Sequence, residues 1–175
     1  MSILRRFFRN EDPKAPLAPL YAAVVAAARQ PEWYLDGQVP DTLDGRFDMV
    51  AAMLSLLLIR LERDGEAHAT ESALLAEIFV DDMDGQLREI GIGDIIVGKH
   101  IGRMMGALGG RLGAYRAGLV DEGDLLAEAL VRNVWRGEQP DAAALAWTTA
   151  RVRALFVALE AMPGNRLIAG EWPAA

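Results

Sequence analysis

A chain of 175 residues fits one domain with room for a real core, and the absence of cysteine excludes disulfides, thiolate catalysis, zinc–thiolate sites and iron–sulfur clusters. Hydrophobic residues make up 52%, above the usual range, and the helix formers Ala, Leu and Arg dominate. A formal net charge of -7 argues against direct nucleic-acid binding, because such domains are normally basic.

Residues 1–19 read as a separate tail ahead of a domain over 20–175. Ile3, Leu4, Phe7 and Phe8 fall at helical spacing with Arg5, Arg6 and Arg9 between them, and Pro13, Pro16 and Pro19 then interrupt any helix. Two readings stand side by side. The seven residues make a membrane contact, apolar side chains in lipid and arginines on anionic head groups, or the tail is a flexible terminus or a segment docked on its own domain. No apolar core or small-residue cleavage site follows, so the tail does not read as a secretory signal. The longest strongly apolar run, residues 49–59, is 11 residues, against the roughly 20 that cross a bilayer.

Leu17, Leu20, Tyr21, Val24, Val25 and Ala28 recur at i, i+3, i+4, i+7 and predict a first amphipathic helix, stopped at Gln30-Pro31. Residues 31–43 read as a loop, with Asp41 or Asp44 capping a central helix over about 43–63. Its core face is Phe47, Val50, Leu54, Leu57, Leu58 and Leu61, and Met49, Met53 and Ile59 widen the stripe. A third helix is expected over about 70–90, broken at Gly91 and Gly93, and a fourth begins at Asp94. Gly109-Gly110 is expected to separate a short segment over 111–119. A helix over 121–135 would turn Leu125, Leu126, Leu130 and Val134 inward, and a last one spans about 141–162 with Leu145, Val152, Leu155, Phe156 and Leu159 on its core face. No alternating strand run is present. The fold class is therefore all-α, a single compact domain of six or seven helices with short loops.

Chemistry-bearing constellations are sparse. In Asp81-Asp82-Met83-Asp84-Gly85 a calcium loop would put Val80 and Gly91 at ligand positions, and a diphosphate-binding cluster would have Gly85 where its last acid belongs. His68 and His100 each lack a glutamate three residues earlier, so the di-iron bundle pattern is missing. Ser2, Ser55 and Ser72 have no nucleophile-elbow context. No cofactor, metal or catalytic residue is expected. Three charged clusters remain: Asp44-Arg46-Asp48, Asp84-Arg88-Glu89-Asp94 and Arg132-Asn133-Arg136. They read either as interhelical pairing or as a polar contact patch for a partner. Met104 and Met105, beside Gly102, Gly106, Gly109 and Gly110, form the best candidate for an apolar groove, since small residues let another helix approach closely. Met83 and Met162 belong to the same adaptable side-chain type.

Several blocks together resemble one family. They run from Leu20-Tyr21 through Ala28-Arg29-Gln30-Pro31-Glu32-Trp33-Tyr34 and Val39-Pro40-Asp41-Thr42-Leu43-Asp44-Gly45-Arg46-Phe47-Asp48. Met83-Asp84, Leu87-Arg88-Glu89 and Gly91-Ile92-Gly93-Asp94 follow, then Gly110-Arg111 to Tyr115 and Arg132-Asn133 before Trp135. This pattern is similar to the ubiquinol–cytochrome c chaperones, in their bacterial form. The resemblance implies a non-catalytic assembly factor that binds newly made cytochrome b and promotes assembly of the bc1 complex. Its partner-binding residues would be Asp44, Arg46, Asp84, Arg88, Glu89, Asp94, Met104, Met105, Tyr115, Arg132 and Asn133. Mitochondrial members work with a small partner subunit and at ribosomes. The expected location is cytoplasmic, at the inner face of the cytoplasmic membrane if the tail binds lipid. The competing readings are a general helical adaptor unrelated to respiration, and a magnesium-dependent enzyme acting on isoprenoid diphosphates through Asp81, Asp82 and Asp84.

Overall fold

A computed structural model of the chain describes residues 12–89 and 94–173, without the side chains of 87–89 and 94–104. Its helices are α1 (Ala18–Ala28), α2 (Glu32–Leu35), α3 (Leu43–Glu62), α4 (Ala69–Glu89), α5 (Asp94–Val120), α6 (Leu125–Val134), α7 (Ala142–Glu160) and α8 (Gly164–Ile168). Short 3-10 turns at Ala15–Leu17 and Gly65–His68 complete the regular structure, and no strand occurs among the described residues. Six helices of ten residues or more, with two single-turn ones, make the all-α architecture that the periodicity predicts.

The organising element is α3. Residues 48–61 are buried without exception, and each of the other five long helices packs on α3. A helix apolar on every side belongs in the middle of a bundle. The polar side chains within this stretch have partners, Ser55 within its own helix and Asp48 and Arg60 across the bundle. Ser55 Oγ donates to the Ala51 carbonyl at 2.6 Å. Arg60 donates from Nε to the Leu159 carbonyl at 3.2 Å and from Nη2 to the Met162 carbonyl at 2.8 Å, and its Nη1 pairs with Asp64 at 2.9 Å. Arg60 thus closes the C-terminus of α7, where free carbonyls favour a cation.

Several local expectations change. Thr42, rather than Asp41 or Asp44, caps α3, its Oγ1 accepting from the Gly45 amide at 3.1 Å. Asp44 falls inside the first turn and is free to bond elsewhere. The expected loop at 31–43 contains α2, a turn anchored by Trp33, whose buried Nε1 donates to the Ala27 carbonyl at 2.8 Å. α6 starts only at Leu125. Its inward set is Leu126, Ala129, Leu130 and Val134, and Leu125 is exposed. His68 lies in the 3-10 turn Gly65–His68, its side chain 17% exposed and 3.7 Å from Asp64. The expected break at Gly91 and Gly93 and the side chain of His100 lie outside the described residues.

The largest difference is in α5, which runs through Gly109-Gly110 without a break. Helix propensity is a weak prior that packing overrides, and here Leu108 and Tyr115 are buried in the core on either side of the pair. α7 is also long and apolar enough to cross a membrane by length and composition. It nevertheless carries Arg151 and Arg153 mid-helix and turns Val152, Leu155, Phe156 and Leu159 into the core.

Glycine has a defined packing role at Gly118. A Cβ there would lie 2.6 Å from Cα and 2.7 Å from the amide nitrogen of Leu126, so α5 and α6 meet backbone to backbone. Gly118→Ala is therefore expected to destabilise the chain by about 1–3 kcal/mol, visible as a lower calorimetric midpoint.

Candidate functional site

Between residues 106 and 113 the outer face of α5 is lined by glycine. Gly106, Gly109, Gly110 and Gly113 recur at i, i+3, i+4, i+7 and so share one face of the helix. All four are exposed, and a Cβ built on any of them meets no described atom within 4 Å. Exposed Met105 stands near the head of this stripe, and exposed Ala117 and Val120, the latter 73% exposed, continue it. A glycine inside a helix costs about 0.5–1 kcal/mol relative to alanine, so four of them cost roughly 2–4 kcal/mol. At Gly118 the interior requires that sacrifice; on the outer face it does not. What these glycines offer is a flat surface that another helix can approach closely.

The same stretch of α5 is fixed to the core by a buried charge cluster. Asp48, fully buried on α3, accepts from Arg111 Nη2 and from Arg136 Nε, the latter at 2.6 Å. Arg136 Nη1 also reaches Asp44 at 2.6 Å, and Arg111 Nη2 touches the Asn133 carbonyl at 3.4 Å. The Arg111 guanidinium lies 5.3 Å from the centroid of the Phe47 ring. Burial pushes the Asp48 carboxyl up from its ordinary range, against the pull of both guanidiniums, while the bond to Asp48 holds Arg136 more firmly in its protonated form. Arg136 has φ 56°, a left-handed position just past α6, where the Gly137 amide closes onto the Val131 carbonyl at 2.9 Å. Glycine usually fills that position. An arginine there accepts backbone strain of about 1–2 kcal/mol and gains the reach to Asp44 and Asp48.

The two outer sequence clusters thus become one site in space. Asp44, Asp48 and Arg136 meet, joined by Arg111 from a third element. Arg46 points away from them and donates to Asp41 at 2.6 Å. Arg132 is exposed and Asn133 half-buried. Tyr115, expected at a contact surface, is only 1% exposed: it sits one turn beyond Arg111 on the core side of α5, its hydroxyl without a hydrogen bond to the described residues and pushed well up by burial. Asp84 is half-buried on α4. The side chains of Arg88, Glu89, Asp94 and Met104 lie outside the described residues, as does the whole of the tail set Ile3, Leu4, Arg5, Arg6, Phe7, Phe8 and Arg9.

Asp81 and Asp82 make internal contacts. Lys14 Nζ pairs with Asp81 at 2.6 Å and with Glu77 at 3.2 Å, the Tyr21 hydroxyl donates to Asp82 at 2.8 Å, and Gln86 Nε2 donates to Asp82 at 3.2 Å. These bonds tie the segment before α1 onto α4. Among the described residues no three His, Asp or Glu side chains are grouped to hold a metal ion.

The profile of the family described as Ubiquinol-cytochrome C chaperone matches residues 35–175. The chain belongs to this family. Among its relatives is the mouse protein named Ubiquinol-cytochrome c reductase complex assembly factor 1, 22% identical over 149 residues, which cover 85% of this chain and 50% of the relative. The chain thus spans about half the length of that curated relative. The crystal structure of the Cbp3 homolog from Brucella abortus superposes with a TM-score of 0.81 at 32% identity, covering 99% of this chain and 97% of the other. The resemblance read between Leu20 and Trp135 therefore extends to the C-terminus, through α7 and α8 of this chaperone-family fold.

Asp48, Arg111 and Arg136 are the residues of the cluster that stand outside the expected contact set. Their signal was weak because Asp48 is 63 residues from Arg111 and 88 from Arg136. A sharper signal was available for the glycine face, in the overlapping spacings Gly106 to Gly110 and Gly109 to Gly113.

Proposed function

We propose that this chain is a non-catalytic assembly chaperone that holds newly made cytochrome b while the ubiquinol–cytochrome c reductase complex is put together. Family membership supports the assembly role. The observation that carries the client-holding part is the outer face of α5, with four exposed glycines that internal packing does not use. Helices of membrane proteins associate through small residues that let backbones approach closely, and cytochrome b is an all-helical membrane subunit. Met105 and Val120 add apolar contact at the two ends of the face, with methionine adapting to varied neighbours. The Asp48–Arg111–Arg136 cluster fixes the angle at which α5 presents the face, and Asp44 with Arg136 gives a polar border. Work at the inner side of the cytoplasmic membrane, aided by the basic and aromatic tail, completes the reading.

Deletion of the gene in its host is expected to lower cytochrome b and bc1 activity and leave other respiratory complexes intact. A plasmid copy restores both. Normal bc1 content in a clean deletion would reject the proposal.

A further inference from the structure

Three of the four tryptophans gather on the side of the bundle formed by α1, α2 and α7. Trp33 and Trp147 meet edge to face with centroids 5.6 Å apart, and the Arg151 guanidinium lies over both rings, at 5.0 and 5.1 Å. Beside them opens a cavity of about 140 Å³, with Ala27, Ala154 and Ala158 among its walls and Trp33, Trp172 and Leu155 completing the apolar part. Its polar side chains are Gln30 and Arg151. Arg151 Nη2 donates to Gln30 Oε1 at 2.6 Å, which is its hydrogen bond among the described residues, and no described carboxylate pairs with it. Arg46, Arg60, Arg63, Arg111, Arg116, Arg136 and Arg166 each have such a carboxylate, while Arg153, like Arg151, bonds to a neutral oxygen.

Size and charge narrow the occupant. A cavity of about 150 Å³ accepts a benzene-sized apolar group. A guanidinium offers five N–H donors in a planar fork that matches a carboxylate. Two indole faces and Gln30 hold this fork in place, so little side-chain freedom is lost when an anion binds. We infer that the cavity bordered by Trp33, Trp172, Arg151 and Ala154 is a binding site for a carboxylate borne next to a benzene-sized apolar group. Two sources share that chemistry: the C-terminal residue of a partner chain ending in a large apolar side chain, and a free aromatic acid. This site is separate from the glycine face of α5 and stands or falls without it.

Tryptophan emission of the full chain reads the site directly. The probes are 3-phenylpropionate, the neutral 3-phenylpropanol, and a decapeptide ending in phenylalanine with its carboxylate either free or amidated. The acid is expected to give a saturable change, with the alcohol weaker by about tenfold or more, the size of a lost charged hydrogen bond. Arg151→Gln should weaken the acid by a similar factor. Ala154→Leu, at an exposed position, should fill the cavity and abolish binding with the melting temperature unchanged. Preference for the free-carboxylate peptide identifies a chain end as the occupant; binding of the acid with neither peptide identifies a small molecule, and both uphold the site. Equal binding of acid and alcohol, no saturation by any probe, or unimpaired binding by Ala154→Leu would overturn it.

Discussion

Replacing Gly106, Gly109, Gly110 and Gly113 together by alanine is expected to make the chain more stable and at the same time useless as an assembly factor. Each substitution relieves about 0.5–1 kcal/mol of helix penalty. None meets a described neighbour within 4 Å. The sum, roughly 2–4 kcal/mol, corresponds to a rise of about 5–15 °C in melting temperature for a chain of this size. Four methyl groups on the face would hold an approaching helix further off, removing the close backbone contact that small residues permit. The variant should accumulate normally in deleted cells and fail to restore cytochrome b. Restored bc1 activity would show that the face is not where the client sits. A lower melting temperature would show that the glycines serve the fold itself.

The opposite outcome is expected for Asp48→Ala. Removing one partner of a buried ion pair leaves an uncompensated charge, a loss of about 3–5 kcal/mol. The lower part of that range applies, because Arg136 is 50% exposed and can turn to water while Arg111, 11% exposed, cannot. Urea unfolding should show a midpoint reduced by about 3 kcal/mol worth of stability with an unchanged slope. Pairing the substitution with Arg111→Met should recover part of the loss, since an apolar replacement for a buried pair is often neutral. A single variant as stable as the parent would mean that the cluster does not hold α5 to α3.

The long apolar stripes were legible because each position on them does one job. The helix expected over about 43–63 is α3, with Val50, Leu54, Leu57, Leu58 and Leu61 of its expected face buried and Phe47 half-buried, and Val152, Leu155, Phe156 and Leu159 are the inward side of α7 as expected. α5 continues through Gly109-Gly110, where a local rule about glycine expects a break and takes no account of Leu108 and Tyr115, buried in the core on either side of the pair. The start of α6 was misread for a related reason. Asp121 accepts from the Leu125 amide at 3.2 Å, so it serves the turn before the helix, and the inward register begins at Leu126. The acidic run at 81–84 resembles a cation site in sequence, yet Lys14 and Tyr21, more than 60 positions earlier, supply partners for Asp81 and Asp82. Pairings of that kind depend on which helix packs beside which, and no local pattern encodes them. The same is true of the Asp48 cluster, whose guanidiniums come from α5 and from the turn just past α6.

The most direct test of the account is a photo-crosslinking side chain placed at Met105 in growing cells, with the same group at exposed Glu128 on α6 as the comparison, followed by mass spectrometry of the membranes. Cytochrome b crosslinked from the Met105 position and absent from the Glu128 position is the predicted result. Crosslinks from Met105 to soluble proteins alone, or equal capture of cytochrome b from both positions, would contradict the assignment of the α5 face as the client surface.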